Sequence, residues 1–266
     1  MQIGTTPGGN DVFDSAVGLV LTRGVTGATG QLLYARVRSR DQAGNVSAWS
    51  ANSDGILIDT LAPSAPVAPL DAGNYSTANV VTFSWQSATD PAPNPSGIVS
   101  SDLQVGTTPG GNNVYNANVG GVLARSVQGG NGQTLYARVR AHDQAGNVGA
   151  WSAASNGILI DTTKPSLVTV TALSVTQVRA TFSEAVSGAD NAANYTCSAG
   201  LSVTGAVRIS DTDYTLTTEL QGGVNYTLTA GSGIHDLAGN SVDPAAASQS
   251  FTGIGSSSAS HWHLYR

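Results

Sequence analysis

The amino-acid sequence predicts an all-β chain of tandem antiparallel sandwiches, and three observations carry that prediction. A stretch is written twice: Leu33 to Trp49 reads LYARVRSRDQAGNVSAW, and Leu135 to Trp151 reads LYARVRAHDQAGNVGAW, 102 residues later. Helix formers are scarce, because charged residues make up 11% of the chain, Lys164 is the one lysine, and Glu184 and Glu219 are the two glutamates. Turn signals rich in Gly, Asn, Asp and Pro recur every roughly 8 to 15 residues between short runs of period-2 alternation, as in stacked antiparallel sheets.

The duplicated stretch itself reads as a hairpin. Leu33, Ala35 and Val37 alternate with Tyr34, Arg36 and Arg38, so one face is apolar and the other polar. The D-Q-A-G-N that follows supplies an Asx-type turn through Asp41, Gly44 and Asn45, repeated at Asp143, Gly146 and Asn147. Opposing Asp41 to Val46 sends Val46 and Ala48 to the core. It also brings Arg38 opposite Trp49 on the outer face, and in the second copy Arg140 opposite Trp151. The expectation is an Arg-Trp stack on each hairpin, worth roughly 0.5 to 1 kcal/mol at an exposed site. The rival is that the two indoles stand bare as platforms for sugar rings.

Residues 2–60 align without a gap onto 104–162, with 41 of 59 positions identical, which implies recent duplication. The second copy is preceded by a segment the first lacks, 61–103, containing the apolar run VVTFSW (Val80 to Trp85) and a Pro-rich loop from Asp90 to Gly97. The first sandwich is therefore expected to be truncated at its N-terminus and open on one side. One reading is that this is a fragment whose upstream part carried the missing strands and a secretion signal; the other is completion by a strand from another chain.

Each copy ends in Ile-Asp-Thr and a proline, IDTLAPSAP from Ile58 and IDTTKPS from Ile160, and proline cannot donate to a ladder. The expected modules are thus 1–60, 61–163 and 164–254, with a flexible tail at 255–266. In the middle module strands are expected near Val80 to Gln86, Ser101 to Val105, Val119 to Val127, Thr134 to His142 and Val148 to Ala153, with Gly157 to Asp161 extended.

VRAHDQAGNVGAWS followed by a Pro-marked linker resembles the last two strands of fibronectin type III-like and related bacterial Ig-like repeats, a resemblance covering residues 1–162. It departs at one place: the family's corner tyrosine would fall on Leu33 and Leu135, whereas Tyr34 and Tyr136 have the opposite parity. Residues 166–253 carry FSEAV (Phe182 to Val186), NYT (Asn194 to Thr196), YTLT (Tyr226 to Thr229) and IHDLAGN (Ile234 to Asn240). In that order these motifs resemble the SbsA-type Ig-like domain of bacterial surface proteins, and they add a third turn of the same kind at Asp236, Gly239 and Asn240.

Composition excludes some functions. The chain is net −6, without the clustered Lys and Arg that phosphate backbones need, so no nucleic-acid partner is expected. No apolar run reaches the ~18 residues of a membrane span. Cys197 stands alone, which excludes an internal disulfide. No convergent set of acids, bases or nucleophiles emerges: His142 and His235 occur singly beside turns, and neither catalytic residues nor a cofactor are expected. The Asp-x-x-Gly-Asn turns hold too few carboxylates in register for an EF-hand-like loop and read as turns. TTPGGN (Thr5 to Asn10, Thr107 to Asn112) has no lysine after it and is a loop rather than a phosphate cradle. Asn45, Asn74, Asn194 and Asn225 fit glycosylation sequons by composition alone. His261 and His263 share one face of the tail if extended, a weak set for a borderline metal.

The resemblances imply a secreted or cell-surface, non-catalytic modular protein acting as a spacer or adhesive stalk. Two alternatives stand beside it: an accessory region of a secreted polysaccharide-degrading enzyme whose catalytic domain lies upstream, and a subunit of a self-assembling surface fibre. The partner would be a surface polysaccharide or another protein chain.

Overall fold

A computed structural model describes residues 1–255. Among them there is no α-helix: short strands alternate with turns, and two single-turn 3-10 segments occur at Ala192–Asn194 and Pro244–Ala246. The described residues are all-β, built of largely antiparallel sheets. The His261 and His263 pair lies outside the described residues.

One compact unit holds residues 1–72, 80–128 and 134–157. In it Ile98–Gly106 is flanked antiparallel by Tyr115–Gly120 and Thr134–Asp143, and Val80–Ser84 pairs with Ala124–Gln128. The second copy closes its core between these layers. Leu135, Ala137, Val139 and Ala141 from one sheet meet Val81, Phe83 and Val127 from the other, all at most 5% exposed. The expected strand from Val119 to Val127 is instead two strands broken at Gly120, whose φ of 68° is the left-handed conformation that glycine adopts freely.

Among the described residues the first copy repeats the first of those sheets and forms no second one. Gln2–Gly4 lies between Phe13–Asp14 and Leu32–Arg36, which in turn pairs with Ile56–Leu57. The residues homologous to Ala124–Gln128, namely 22–26, form no strand, and no strand among the described residues pairs with them. The same side chains therefore end in different places. Val139 is 0% exposed and its homologue Val37 is 50% exposed.

The segment after each D-Q-A-G-N turn departs from the expected strand. Among residues 148–153 only Val148 makes a bridge, to His142, and the corresponding bridge in the first copy joins Arg40 to Val46, a loop one residue longer than the Asp41 pairing expected from the turn. Val46 is 48% and Val148 41% exposed, and Ala48 is exposed as well, so none of them joins the core. The reason is a serine at every third position. The amides of Ser47, Ser50 and Ser53 donate to the carbonyls of Ser39, Val37 and Ala35. The amides of Ser39, Val37 and Ala35 donate back to the Oγ atoms of those three serines at 3.0, 3.1 and 2.9 Å. Three residues are thus spent for every two of the partner strand, a run of successive bulges that shifts the register at each step. Ser152 and Ser155 repeat the device beneath Val139 and Ala137, where they are 7% and 6% exposed.

A second unit holds 73–79, 129–133 and, among the described residues, 158–255. Tyr75–Ser76 runs parallel to Ile158–Ile160. Leu167–Ser174, Gln177–Phe182, Asp213–Thr218 and Val203–Arg208 form one sheet, and Tyr195–Cys197, Asn225–Ala230 and Ser248–Thr252 another. Alternation places Val178, Ala180, Phe182, Tyr214 and Leu216 against Tyr226, Leu228, Ala230 and Phe251 in one core. Two buried tyrosine hydroxyls are satisfied on backbone carbonyls, Tyr214 on Val186 and Tyr195 on Ala189, each at 2.8 Å.

Candidate functional site

The three Asp-x-x-Gly-Asn turns share one geometry. The Asn amide and the Asn side chain both donate to the Asp carboxylate: Asn45 to Asp41, Asn147 to Asp143 and Asn240 to Asp236, at 2.8 to 2.9 Å. Gly44, Gly146 and Gly239 have φ of 94° to 100°, which closes the loop at no Cβ cost. Asn45 hydrogen bonding holds the Asp41 carboxyl below the usual carboxylate value.

The surroundings separate these turns. Asp41 is exposed and belongs to no such acidic trio among the described residues. Asp143, 2% exposed, lies with Asp59 and Asp90, one oxygen of each within 4.8 Å of the others. Asp236, 2% exposed, lies in the same way with Asp161 and Glu184. Each trio draws on the same three sources: the Asp of an Ile-Asp-Thr repeat end, an acid a few residues past a strand (Val80–Ser84 or Gln177–Phe182), and the turn Asp. In both, the turn Asn reaches back to the carbonyl of the repeat-end Asp, Asn147 to Asp59 at 3.1 Å and Asn240 to Asp161 at 2.8 Å.

The hydrogen bonds around the first trio can be counted. Asp59 accepts from the Leu61 and Ser96 amides at 3.1 and 2.8 Å, and hydrogen bonding from Ser96 holds its carboxyl below the usual value. Asp90 accepts from the Gly97 amide on Oδ2 at 2.6 Å, while its Oδ1 is buried with no hydrogen-bond partner. In the second trio Asp161 accepts from the Thr163 amide at 3.1 Å. Glu184 accepts no hydrogen bond among the described residues, and burial, together with the charges of Asp236 and Asp161, pushes its carboxyl above the ordinary glutamate value. The ion pairs among the described residues involve Arg140, His142 and Arg208 with Asp102 and Asp211, and none of them includes an acid of either trio.

Sequence reasoning placed the turn residues Asp143 and Asp236 but did not find Asp59, Asp90, Asp161 or Glu184 as their neighbours. The available signal was the Ile-Asp-Thr written twice at the repeat offset; the loop acids carry no local mark, because the contacts are long-range.

On the outer face, Arg38 lies 4.4 Å from the Trp49 ring centroid and Arg140 4.6 Å from that of Trp151. A second guanidinium, unforeseen in the sequence, joins each: Arg36 and Arg138, both at 4.9 Å. These are the residues two before on the same face, and their Nε atoms donate to Gln2 and Gln104 at 2.9 Å. In the second copy Asp102 accepts from Arg140 and His142 at 2.9 and 2.8 Å and from Asn118 at 3.0 Å. Burial pushes its carboxyl up, but those bonds outweigh it and the net shift is downward. His142 thus serves an ion-pair cluster on the sheet surface, and His235 is exposed beside its turn.

Residues 156–253 match the family of bacterial Ig-like domains. Over 174 residues the chain is 37% identical to Exoglucanase B of Cellulomonas fimi, and over 143 residues 36% identical to Exoglucanase A of the same organism. These alignments take in 60% and 50% of this chain, which spans 15% of the length of each relative. Among solved structures, the FN1-FN3 domains of chicken CNTN1 align over 85% of this chain and 78% of that one, at 12% identity and a TM-score of 0.31.

Proposed function

We propose that this chain is a non-catalytic spacer within a secreted multi-module protein, built of three modules at 1–60, 61–163 and 164–254. The observation that carries the reading is the pair of matches to proteins named exoglucanase, in each of which this chain spans 15% of the length. A stretch that small, written as tandem sandwiches, fits an accessory region better than a reaction centre. The same matches favour the accessory region of a polysaccharide-degrading enzyme over a self-assembling fibre. The SbsA-like motif order of the third module is compatible with either surface display or secretion. No helix among the described residues is long and apolar enough to cross a membrane.

Within this reading the Arg-Trp clusters are structural. Two guanidiniums within 5 Å of each indole shield an apolar ring on the outer face and stiffen the hairpin. The discriminating experiment mixes the purified chain with insoluble cellulose and assays both depletion from the supernatant and release of soluble sugar. A spacer stays in the supernatant and releases nothing. Retention that Trp49→Ala and Trp151→Ala abolish would make the indoles sugar platforms, and sugar release would end the non-catalytic reading.

A further inference from the structure

We propose that Asn156 is a site of spontaneous deamidation, at which the folded chain converts its own asparagine through a succinimide to aspartate and isoaspartate. This goes beyond the spacer reading and does not depend on it.

The sequence holds two Asn-Gly dipeptides, Asn131–Gly132 and Asn156–Gly157. Asparagine before glycine is open to this chemistry because the following amide has no Cβ beside it to hinder its approach to the side-chain carbonyl. Reaction then requires that the attacked side chain and the attacking amide both be free. The structure gives the two dipeptides opposite answers.

At Asn131 every participant is engaged. Its Oδ1 accepts from the Thr162 amide at 2.7 Å and its Nδ2 donates to the Thr163 hydroxyl at 2.9 Å. The Gly132 amide, which would have to attack, donates to the Ile160 carbonyl at 2.7 Å. Three hydrogen bonds must be broken before the ring can close. Asn156 is exposed and lies outside any strand, and neither its side chain nor the Gly157 amide makes a hydrogen bond among the described residues. The residues on either side are held in place: the Ser155 amide donates to the Ala137 carbonyl at 2.8 Å, and Ile158 is 0% exposed. The reacting pair is thus a free step between two anchored ones.

The first copy of the repeat already carries the product. The residue 102 positions before Asn156 is Asp54, and it too precedes a glycine, Gly55. Gly55 and Gly157 have φ of 91° and 90°, and each lies against a tyrosine ring, Tyr34 and Tyr136. Asp54 is exposed like Asn156, so this place in the repeat accommodates a carboxylate without repacking. Isoaspartate has no such precedent in the chain, because it adds one carbon to the main chain between Ser155 and Ile158.

The reaction balances with water as its one co-reactant. The Gly157 nitrogen gives its proton to a solvent base and bonds to Cγ of Asn156; the Cγ–Nδ2 bond breaks and ammonia leaves. Water then opens the ring at Cγ, which restores the ordinary main chain as aspartate, or at the main-chain carbonyl, which leaves isoaspartate. Either product is ionised at neutral pH and adds one negative charge to the chain.

The test is ageing of the intact wild-type chain in mildly alkaline buffer, followed by tryptic mapping with tandem mass spectrometry and by methylation with an isoaspartyl methyltransferase. Asn156 should convert at least about tenfold faster than Asn131, the least that three hydrogen bonds impose on the slower site. In denaturant, where neither site is held, the two rates should become comparable. The tryptic fragment that carries Asn156 also carries Asn147, so Asn156→Asp is aged in parallel, and the mass gain and methyl acceptance of that fragment should vanish. The proposal is overturned if Asn156 of the folded chain stays an amide or converts no faster than Asn131. It is overturned equally if the tenfold difference persists in denaturant, or if the fragment still gains mass in folded Asn156→Asp.

Discussion

Replacing the same residue in the two copies of the repeat isolates the contribution of the second sheet. Val139 is 0% exposed in the copy that is accompanied by the paired strands Val80–Ser84 and Ala124–Gln128, whereas Val37 is 50% exposed in the copy that has no such pair among the described residues. Val139→Ala removes two buried methyl groups, about 1.6 kcal/mol of transfer energy, and leaves a cavity, for about 2 to 3 kcal/mol in all. Val37→Ala deletes half-solvated methyl groups and leaves no closed cavity, for about 0.5 to 1 kcal/mol. Amide hydrogen exchange reads the two hairpins separately within one chain. Protection across Leu135 to Ala141 should fall about 30- to 150-fold in Val139→Ala, but across Leu33 to Ser39 only about 2- to 5-fold in Val37→Ala. Equal losses would refute the reasoning, since they would mean that the first copy is covered in solution by something the described residues do not supply.

Ser152→Ala should destabilise the second module by about 1 to 3 kcal/mol in chemical denaturation, because it strips the Val139 amide of its buried acceptor; Ser152→Thr, which keeps the hydroxyl, should cost less. Gly157→Ala should cost more than about 1 kcal/mol, since Gly157 has φ of 90° and a β-carbon there would collide with the Tyr136 ring; an unchanged Tm would show that the ring moves aside freely. Acid should release the Asp102 cluster. A carboxyl held below its unfolded value stabilises the fold at pH above about 4, and that contribution disappears as the pH falls through the lower, folded value. The stability difference between wild type and Asp102→Asn should therefore be full near neutrality and shrink below about pH 4; a difference independent of pH would assign it to packing instead.

What could be read in the sequence and what could not divide along the range of the interaction. The period-2 run Leu135, Ala137, Val139 announces its buried face because alternation is a local property, and that face is buried in the structure. The identical run Leu33, Ala35, Val37 announces the same face, but burial also requires a second layer. Its absence follows from comparing the copies, not from either alone, and the exposure of Val37 measures it. The segment after the turn departs from a regular strand for a subtler reason. Val46 and Ala48 look like a strand by parity, yet parity presumes one residue for one across the ladder, and serines at every third position let a chain keep its hydrogen bonds while spending three for two. The register expected from a regular hairpin therefore holds locally and fails at the turn, which is how Arg38 lies on Trp49 although Val46 pairs with Arg40 rather than Asp41. The carboxylate trios were least legible, because Asp59 and Asp143 come together only through the fold. Their one trace was an aspartate that both repeats keep at the end of Ile-Asp-Thr, a position where a turn alone would not demand a charge.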